Sequence, residues 1–542
     1  MRGKPQVLKV SKCIIAFLAP LIICLMYMLI RGSFALYLPD SYNNDALFYY
    51  KLVEGIVKGG SLKGYFGFNE SSALIGGFAA WNPAVVMPWV LFGFIFRWNY
   101  FSVFFCNILF LSAAFAAFTW LSDISIKKLV CLIGLFMLFP AFPVHALNML
   151  PEAVVCSFVI LYLGFAIKAC ENPRIFCIIG MLVCCFYLTL CRPYMIVFYA
   201  VPVYFWIKRG KVSDGSEGKG RRRFFVPVII SAAVILSSVA VYYLTNKFFT
   251  AAYFEPLFNL DIVDFFIHGN IREAVRVGLS MNRRMLTGIG GYIGEAFSYG
   301  LTAGTQYAIS IVCTIISIVL LFDEKNKKYR PVFFIYALTS ILLYGSIVLF
   351  LQKVNEGGRH VFFLAVMGIF VLSLAELEAP AGDSSKPASK VDVLGIIVRV
   401  VPAILLIIFI IGGSFWPTDY DAPFRNDATV ERVSRWKEIF KKENVAPTGE
   451  ISYDNTVIWV LYDLDEDGDM YITDYHSLYA LPAGMGICCC MPDYVYGNIE
   501  GLKSRYVATD SRGKLAEILK EKGYEVVGEI DDLVVFRLYE TD

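Results

Sequence analysis

The residues best suited to chemistry come early. Residues 40–60 read DSYNNDALFYYKLVEGIVKGG and follow closely on an apolar stretch at 13–30. Asp40 and Asp45 therefore stand beside the first hydrophobic segment. A carboxylate at the mouth of a membrane cavity is expensive to place and marks a functional site by default. Such a group can act as a general base toward an attacking hydroxyl. Asp45 also suits the start of a helix over 46–57 that Gly59-Gly60 would end, and a cap and a base are compatible roles. A second acid, Glu152, closes the run HALNMLPE at 145–152, where Pro151 fits a first helical turn. Two carboxylates at one site can serve as base and positioner, or can hold a divalent cation; no other cofactor is implied. The cationic candidates are Arg192 in LCRP and the pair Arg359-His360 in NEGGRH. A guanidinium fork suits a phosphate, although snorkelling would also explain an Arg between two apolar segments.

These residues must be held by a membrane protein. Of 542 residues, 57% are hydrophobic and 17% charged, with a mean hydropathy of +0.61. That is far from soluble globular usage. A net charge of +2 suggests no nucleic-acid partner. The 14 cysteines lie mostly inside apolar runs, form no CxxC pair and read as small hydrophobes. The basic start 1–12 precedes the first apolar run without an A-x-A cleavage site, so an uncleaved first helix is expected.

Further apolar runs recur near 83–121, 128–143, 149–168, 174–190, 193–207, 224–245, 302–322, 331–351, 361–377 and 393–413. Basic connectors orient them, with 208–223, 323–330 and 378–390 on the cytoplasmic side. Loops at about 33–82 and 246–301, and everything after 415, then fall outside, together with Glu152, Arg192 and the Arg359-His360 turn. Parity requires 83–121 to cross only once, although it resembles two helices around Arg97-Trp98-Asn99. The expected fold is a polytopic α-helical membrane protein of about 11 transmembrane helices, residues 1–415, with an extracytoplasmic α/β domain at 416–542. The amino terminus would be cytoplasmic and the protein would sit in the cell membrane. Within the last domain, the patterns predict a helix at 428–444, a strand at 504–510, a helix at 513–523 and strands at 524–530 and 533–538. It carries no Gly-rich phosphate loop.

Two weaker signals lie in that domain. DLDEDGDMYITD at 463–474 has EF-hand spacing, but its twelfth position is Asp and its flank TVIWVLY is strand-like, so Asp467-Gly468 reads better as a hairpin turn. Cys488-Cys489-Cys490 lacks metal-ligand spacing.

Asp45, Tyr49 and Gly59 after the first helix, followed by Asn82-Pro83 opening a later apolar segment, resemble the glycosyltransferase C superfamily of integral-membrane enzymes. The closest likeness is to its lipid A aminoarabinose transferase and protein O-mannosyltransferase branch. That resemblance implies Asp45 as the catalytic carboxylate of the first outer loop and Glu152 as a second acid near a proline. It implies Arg192, Arg359 and His360 as the basic residues, with His360 where a Tyr is usual. Tyr49 and Asn82 would contact substrate. Asp40 could be the second acid or the catalytic one, because the family often has adjacent acids where Asn44, Asp45 and Ala46 stand. Asn82 replaces the Lys of the aminoarabinose enzymes. The implied donor is a polyprenyl-phosphate sugar, and the implied acceptor is a cell-envelope glycan, lipid or protein at the face of the lipid bilayer. A transporter or flippase for lipid-linked saccharides, or a non-catalytic envelope scaffold, are the rival readings. A transporter would carry internal repeats and mid-membrane charges, which this sequence lacks.

Overall fold

The computed structural model describes residues 4–34, 36, 44–59, 64–139, 141–212, 220–253, 261–299, 302–350, 354–375, 427–447, 452–460, 462–465, 467–473 and 476–539. Asp40 and the run at 393–413 lie outside the described residues, as does the side chain of Arg359. The chain divides into a helical body and a sheet.

The body contains α1 (Lys4–Ile30), α2 (Asn44–Gly59), α3 (Pro83–Phe96), α4 (Tyr100–Ser122), α5 (Ile126–Met137), α6 (Ala141–Leu147), α7 (Glu152–Glu171), α8 (Ile175–Cys191), α9 (Ala200–Val212), α10 (Gly220–Phe249), α11 (Asp261–Ile267), α12 (Ile271–Tyr299), α13 (Thr302–Phe322), α14 (Arg330–Phe350) and α15 (Val354–Leu372). Among the described residues, six helices are long and apolar enough to cross a membrane: Val7–Ile30, Tyr100–Ser122, Glu152–Glu171, Val228–Phe249, Gly304–Phe322 and Asn326–Leu349. Helices α5 and α6, bent by 76°, make a seventh if they form one span. Pro83–Phe96, Ile175–Cys191 and His360–Leu372 are shorter apolar helices. At ~1.5 Å per residue, α3 reaches only ~21 Å, short of the ~30 Å hydrocarbon core. Of the two helices in 83–121, α4 is among those long and apolar enough to cross a membrane and α3 is not. Pairs α1–α4, α4–α7 and α13–α15 build the centre of the bundle. They bury one large apolar cluster that includes Phe115, Phe118, Phe136 and Phe370. The rings of Phe118 and Phe370 meet edge-on at 4.6 Å.

The sheet has seven strands in the order β2-β1-β6-β3-β7-β9-β8. Strands β1 (Gly64–Phe68) and β2 (Gly77–Phe78) come from the first loop. The others are β3 (Thr456–Val460), β6 (Gly486–Cys490), β7 (Tyr506–Asp510), β8 (Glu525–Ile530) and β9 (Leu533–Arg537). The patterned strands at 504–510, 524–530 and 533–538 thus form as read, and a helix at Lys514–Glu521 lies between the first two. Pairing is parallel from β2 to β7 and antiparallel through β9 to β8. Parallel strands covered on both faces read as unbroken apolar runs, and TVIWV and GICCC are buried throughout. Successive side chains still alternate. Trp459 and Cys489 face the cluster containing α2, whereas Cys488 and Cys490 face the cluster of Leu515 and Leu519. The three cysteines are therefore strand core. β4 (Tyr462–Leu464) and β5 (Met470–Ile472) form the hairpin expected around Asp467-Gly468. Asp465 accepts from the amides of Asp467 and Asp469, closing its turn. Asp463, a ligand position in the EF-hand reading, is buried and accepts from Tyr496 and Thr509 instead.

Strand β1 pairs with β6 in the register Phe66↔Ile487, Gly67↔Cys488, Phe68↔Cys489. Helix α2 lies over this seam, with Phe48 stacked on Phe66 at 4.0 Å and 5.2 Å from Trp459. A methyl group on Gly55 would run into the Tyr65 ring, so only glycine permits that approach. Polar contacts fasten the seam. Lys51 Nζ donates to the Leu481 carbonyl at 2.8 Å, and Glu54 accepts from Lys51 at 2.7 Å. Burial would raise the Glu54 carboxyl, but Lys51 and Lys58 outweigh it and hold the group below its ordinary value. Glu70, 3% exposed, accepts from the amides of Lys503 at 2.8 Å and Ser504 at 2.6 Å and from the Tyr494 hydroxyl at 2.8 Å. Burial and this carboxylate push the Tyr494 phenol above its ordinary range. Glu70→Gln replaces charge-assisted bonds by neutral ones and is expected to weaken the seam by about 1.5–3 kcal/mol. Limited proteolysis of the protein in detergent should then release a carboxyl-terminal fragment carrying β3 to β9 faster than from wild type. An unchanged cleavage rate would show that Glu70 does not hold the seam.

Candidate functional site

Three chain segments meet at one end of the bundle. Pro151 precedes α7 and leaves Glu152 in the first turn, where the helix dipole favours a carboxylate. Glu152 is only 2% exposed. Helix α8 stops at Cys191 because Pro193 follows: the residue before a proline is driven out of the helical region, and Arg192 adopts φ −148°, ψ 106°. That extended residue sends its guanidinium toward α7, where Nη2 donates to Glu152 Oε1 at 2.5 Å. The carboxylate is buried and the guanidinium nearly so, at 2% and 11% side-chain exposure. Arg192 Nη1 donates to the Tyr194 hydroxyl at 2.9 Å and lies 3.3 Å from His360 Nδ1 on α15. Tyr194 stands 2.9 Å from the same Nδ1. Arginine can only donate, so Nδ1 is an acceptor and the ring proton sits on Nε2. The chain of donation runs from Arg192 through Tyr194 to His360.

Asp45 occupies the first turn of α2 and is partly exposed. It lies close enough to Cys489 to help raise that thiol, after burial and Cys490. Met149, Leu150 and Val154, which flank Glu152, are buried in the same apolar cluster as Ala46–Tyr50 of α2. The helices carrying the two acids therefore share a core.

The structure thus brings Arg192 into direct contact with both Glu152 and His360, and Asp45 stands on a helix that shares an apolar cluster with the residues flanking Glu152. Tyr49 is 3% exposed, stacked on Trp81 at 4.3 Å and 5.8 Å from Trp89. Asn82 accepts from the Ala84 amide at 3.0 Å, starting α3, and donates to Thr245 on α10 at 2.7 Å. Both have packing roles that stand with or without a substrate. Arg359 lies on α15 one residue before His360, with its side chain outside the described residues. Tyr194 is the member that sequence reasoning missed; its place two residues past Arg192, beyond a proline that turns the chain, is the signal that could have found it. Among the described residues, no group of three or more His, Cys, Asp or Glu side chains is placed to hold a metal ion.

No known family matches the chain, and no curated protein does. Among solved structures it is similar to the archaeal oligosaccharyltransferase AglB from Archaeoglobus fulgidus in complex with an inhibitory peptide and a dolichol-phosphate, with a TM-score of 0.48 and 12% identity over 96% of this chain and 73% of that one. The apo form of the Archaeoglobus fulgidus oligosaccharyltransferase gives a TM-score of 0.49 and 12% identity over the same shares.

Proposed function

We propose that the protein is a membrane glycosyltransferase that moves a sugar from a polyprenyl-phosphate donor to an acceptor on the extracytoplasmic face. The observation that carries this reading is the Glu152–Arg192–Tyr194–His360 constellation, with Glu152 buried and the other three partly buried. Four polar side chains from three segments are gathered at one end of a mostly apolar bundle, and ionisable groups held there are functional by default. The basic connectors between helices put that end on the outer side.

In this reading Asp45 takes the proton of the acceptor hydroxyl as its oxygen attacks the anomeric carbon. The bond from that carbon to the phosphate oxygen breaks, the electron pair leaves on the lipid phosphate, and the configuration inverts. Arg192 and Arg359 receive the phosphate, a task suited to planar guanidinium donors. Glu152 holds the Arg192 fork in orientation, and Tyr194 with His360 fixes its other edge. Asp40, Tyr49 and Asn82 would line the approach from the first loop. The acceptor is a glycan, lipid or protein of the cell envelope.

A photoactivatable undecaprenyl-phosphate analogue tests this placement. It is expected to label peptides containing Glu152, Arg192 or His360, and excess undecaprenyl phosphate should compete the label away. Labelling spread over the lipid-facing helices and insensitive to competitor would contradict it.

A further inference from the structure

Beside the constellation lies a second group of buried polar side chains. His145, at the end of α6, is fully buried, and its Nε2 stands 3.2 Å from Gln306 Nε2 in the first turns of α13. Asn148 follows on the same turn and is also fully buried. Asn107 staples this turn by donating to the carbonyls of Ala146 and Asn148 at 3.1 and 3.0 Å, and its own Oδ1 accepts from Trp89 Nε1 at 2.9 Å. The His145 ring packs 4.1 Å from Phe362, two residues beyond His360 on α15. The turn ends at Pro151, and Glu152 follows.

Among the described residues, two amide atoms in this group find no hydrogen-bonding partner. They are Asn148 Nδ2 and Gln306 Oε1, on residues that are 0% and 2% exposed. Turning the Gln306 amide over does not remove the problem, because one polar atom faces His145 and the other still points elsewhere. A buried amide left unmatched is retained against a desolvation cost. Its matching partner is a group that both donates and accepts, as a hydroxyl does.

We infer that His145, Asn148 and Gln306 form a subsite that reads the hydroxyls of the donor's sugar. This inference rests on the lipid-linked-donor reading above and deepens it. The subsite lies one turn along the chain from Glu152, so a lipid phosphate near Arg192 would present its sugar toward these amides. A site built to hydrogen-bond a hydroxyl discriminates strongly against a ligand lacking it, because the amides are then left unpaired.

The full-length protein in nanodiscs can be tested with undecaprenyl phosphate, bare or carrying glucose, mannose or N-acetylglucosamine. Wild type is expected to prefer at least one glycosylated lipid over the bare phosphate by about tenfold or more. Gln306→Leu and Asn148→Ala remove the amides without adding bulk beyond that of Leu at 306, and both should still elute as monodisperse protein. They are expected to bring the preference close to unity while bare undecaprenyl phosphate still binds within about twofold of wild type. The subsite is overturned if wild type shows no preference, or if the preference survives both substitutions. It is also overturned if bare and glycosylated lipids weaken together, as they would if the amides merely held a structural water. Wild type that binds none of the four lipids removes the lipid-linked-donor reading itself, and this subsite with it.

Discussion

Asp45→Asn is expected to lower sugar transfer by about 10²–10⁴-fold, the usual contribution of a positioned general base. The substitution removes the proton acceptor and little else. Asn is nearly isosteric and serves a helix start about as well as Asp does. The charge lost from the first turn of α2 costs at most about 1 kcal/mol. Helix α2 is held by other contacts: Phe48 on Phe66, Tyr49 on Trp81, and Lys51 on the Leu481 carbonyl. The variant should therefore express, insert and melt as wild type does while transfer collapses. Transfer assays on membranes containing matched amounts of protein decide the point. Retained activity would leave Glu152 or Asp40 as the base.

Arg192→Leu is expected to destabilise the protein by about 3–5 kcal/mol, because it removes the guanidinium paired with the Glu152 carboxylate, which is 2% exposed. Tyr194 and His360 would each lose the contact with Arg192 as well. Thermal unfolding in detergent should show the loss directly. The paired replacement, Glu152→Gln with Arg192→Met, removes both charges and should recover most of the stability. It should not recover transfer, since the phosphate-binding guanidinium is still missing. If the double variant melts like Arg192→Leu alone, the pair is not the source of the stability loss. If it transfers sugar normally, the constellation is structural only.

How far the sequence revealed all this depended on the range of each interaction. The membrane helices were legible from apolar runs, and β7, β8, β9 and the helix between the first two of them from local periodicity. The hairpin at Asp467-Gly468 was legible because its turn chemistry is local. Strands β1 and β2 were not. GYFGF is short and glycine-rich, and its partner GICCC lies more than 400 residues away in the chain. The same distance concealed that Glu70 and Lys51 of the first loop fasten the sheet to the body. Glu152 and Arg192 were each visible as candidates, but their pairing spans 40 residues and depends on how α7 and α8 pack. Pro193 signalled the end of α8 and not the direction in which Arg192 would point. Gln306 sits on a helix rich in apolar residues, Thr and Ser, and its amide stands out only through its place facing His145.

The central claim is that the bond between sugar and lipid phosphate is broken at this site. The fate of the lipid tests it most directly. Sealed right-side-out vesicles containing the protein can be loaded with undecaprenyl phosphate bearing a radiolabelled sugar and supplied with envelope material as acceptor. Free undecaprenyl phosphate should appear in step with label in the acceptor, and neither should appear with Asp45→Asn. Label that crosses the bilayer still attached to its lipid, or lipid that stays intact while wild-type protein is present, would contradict the account.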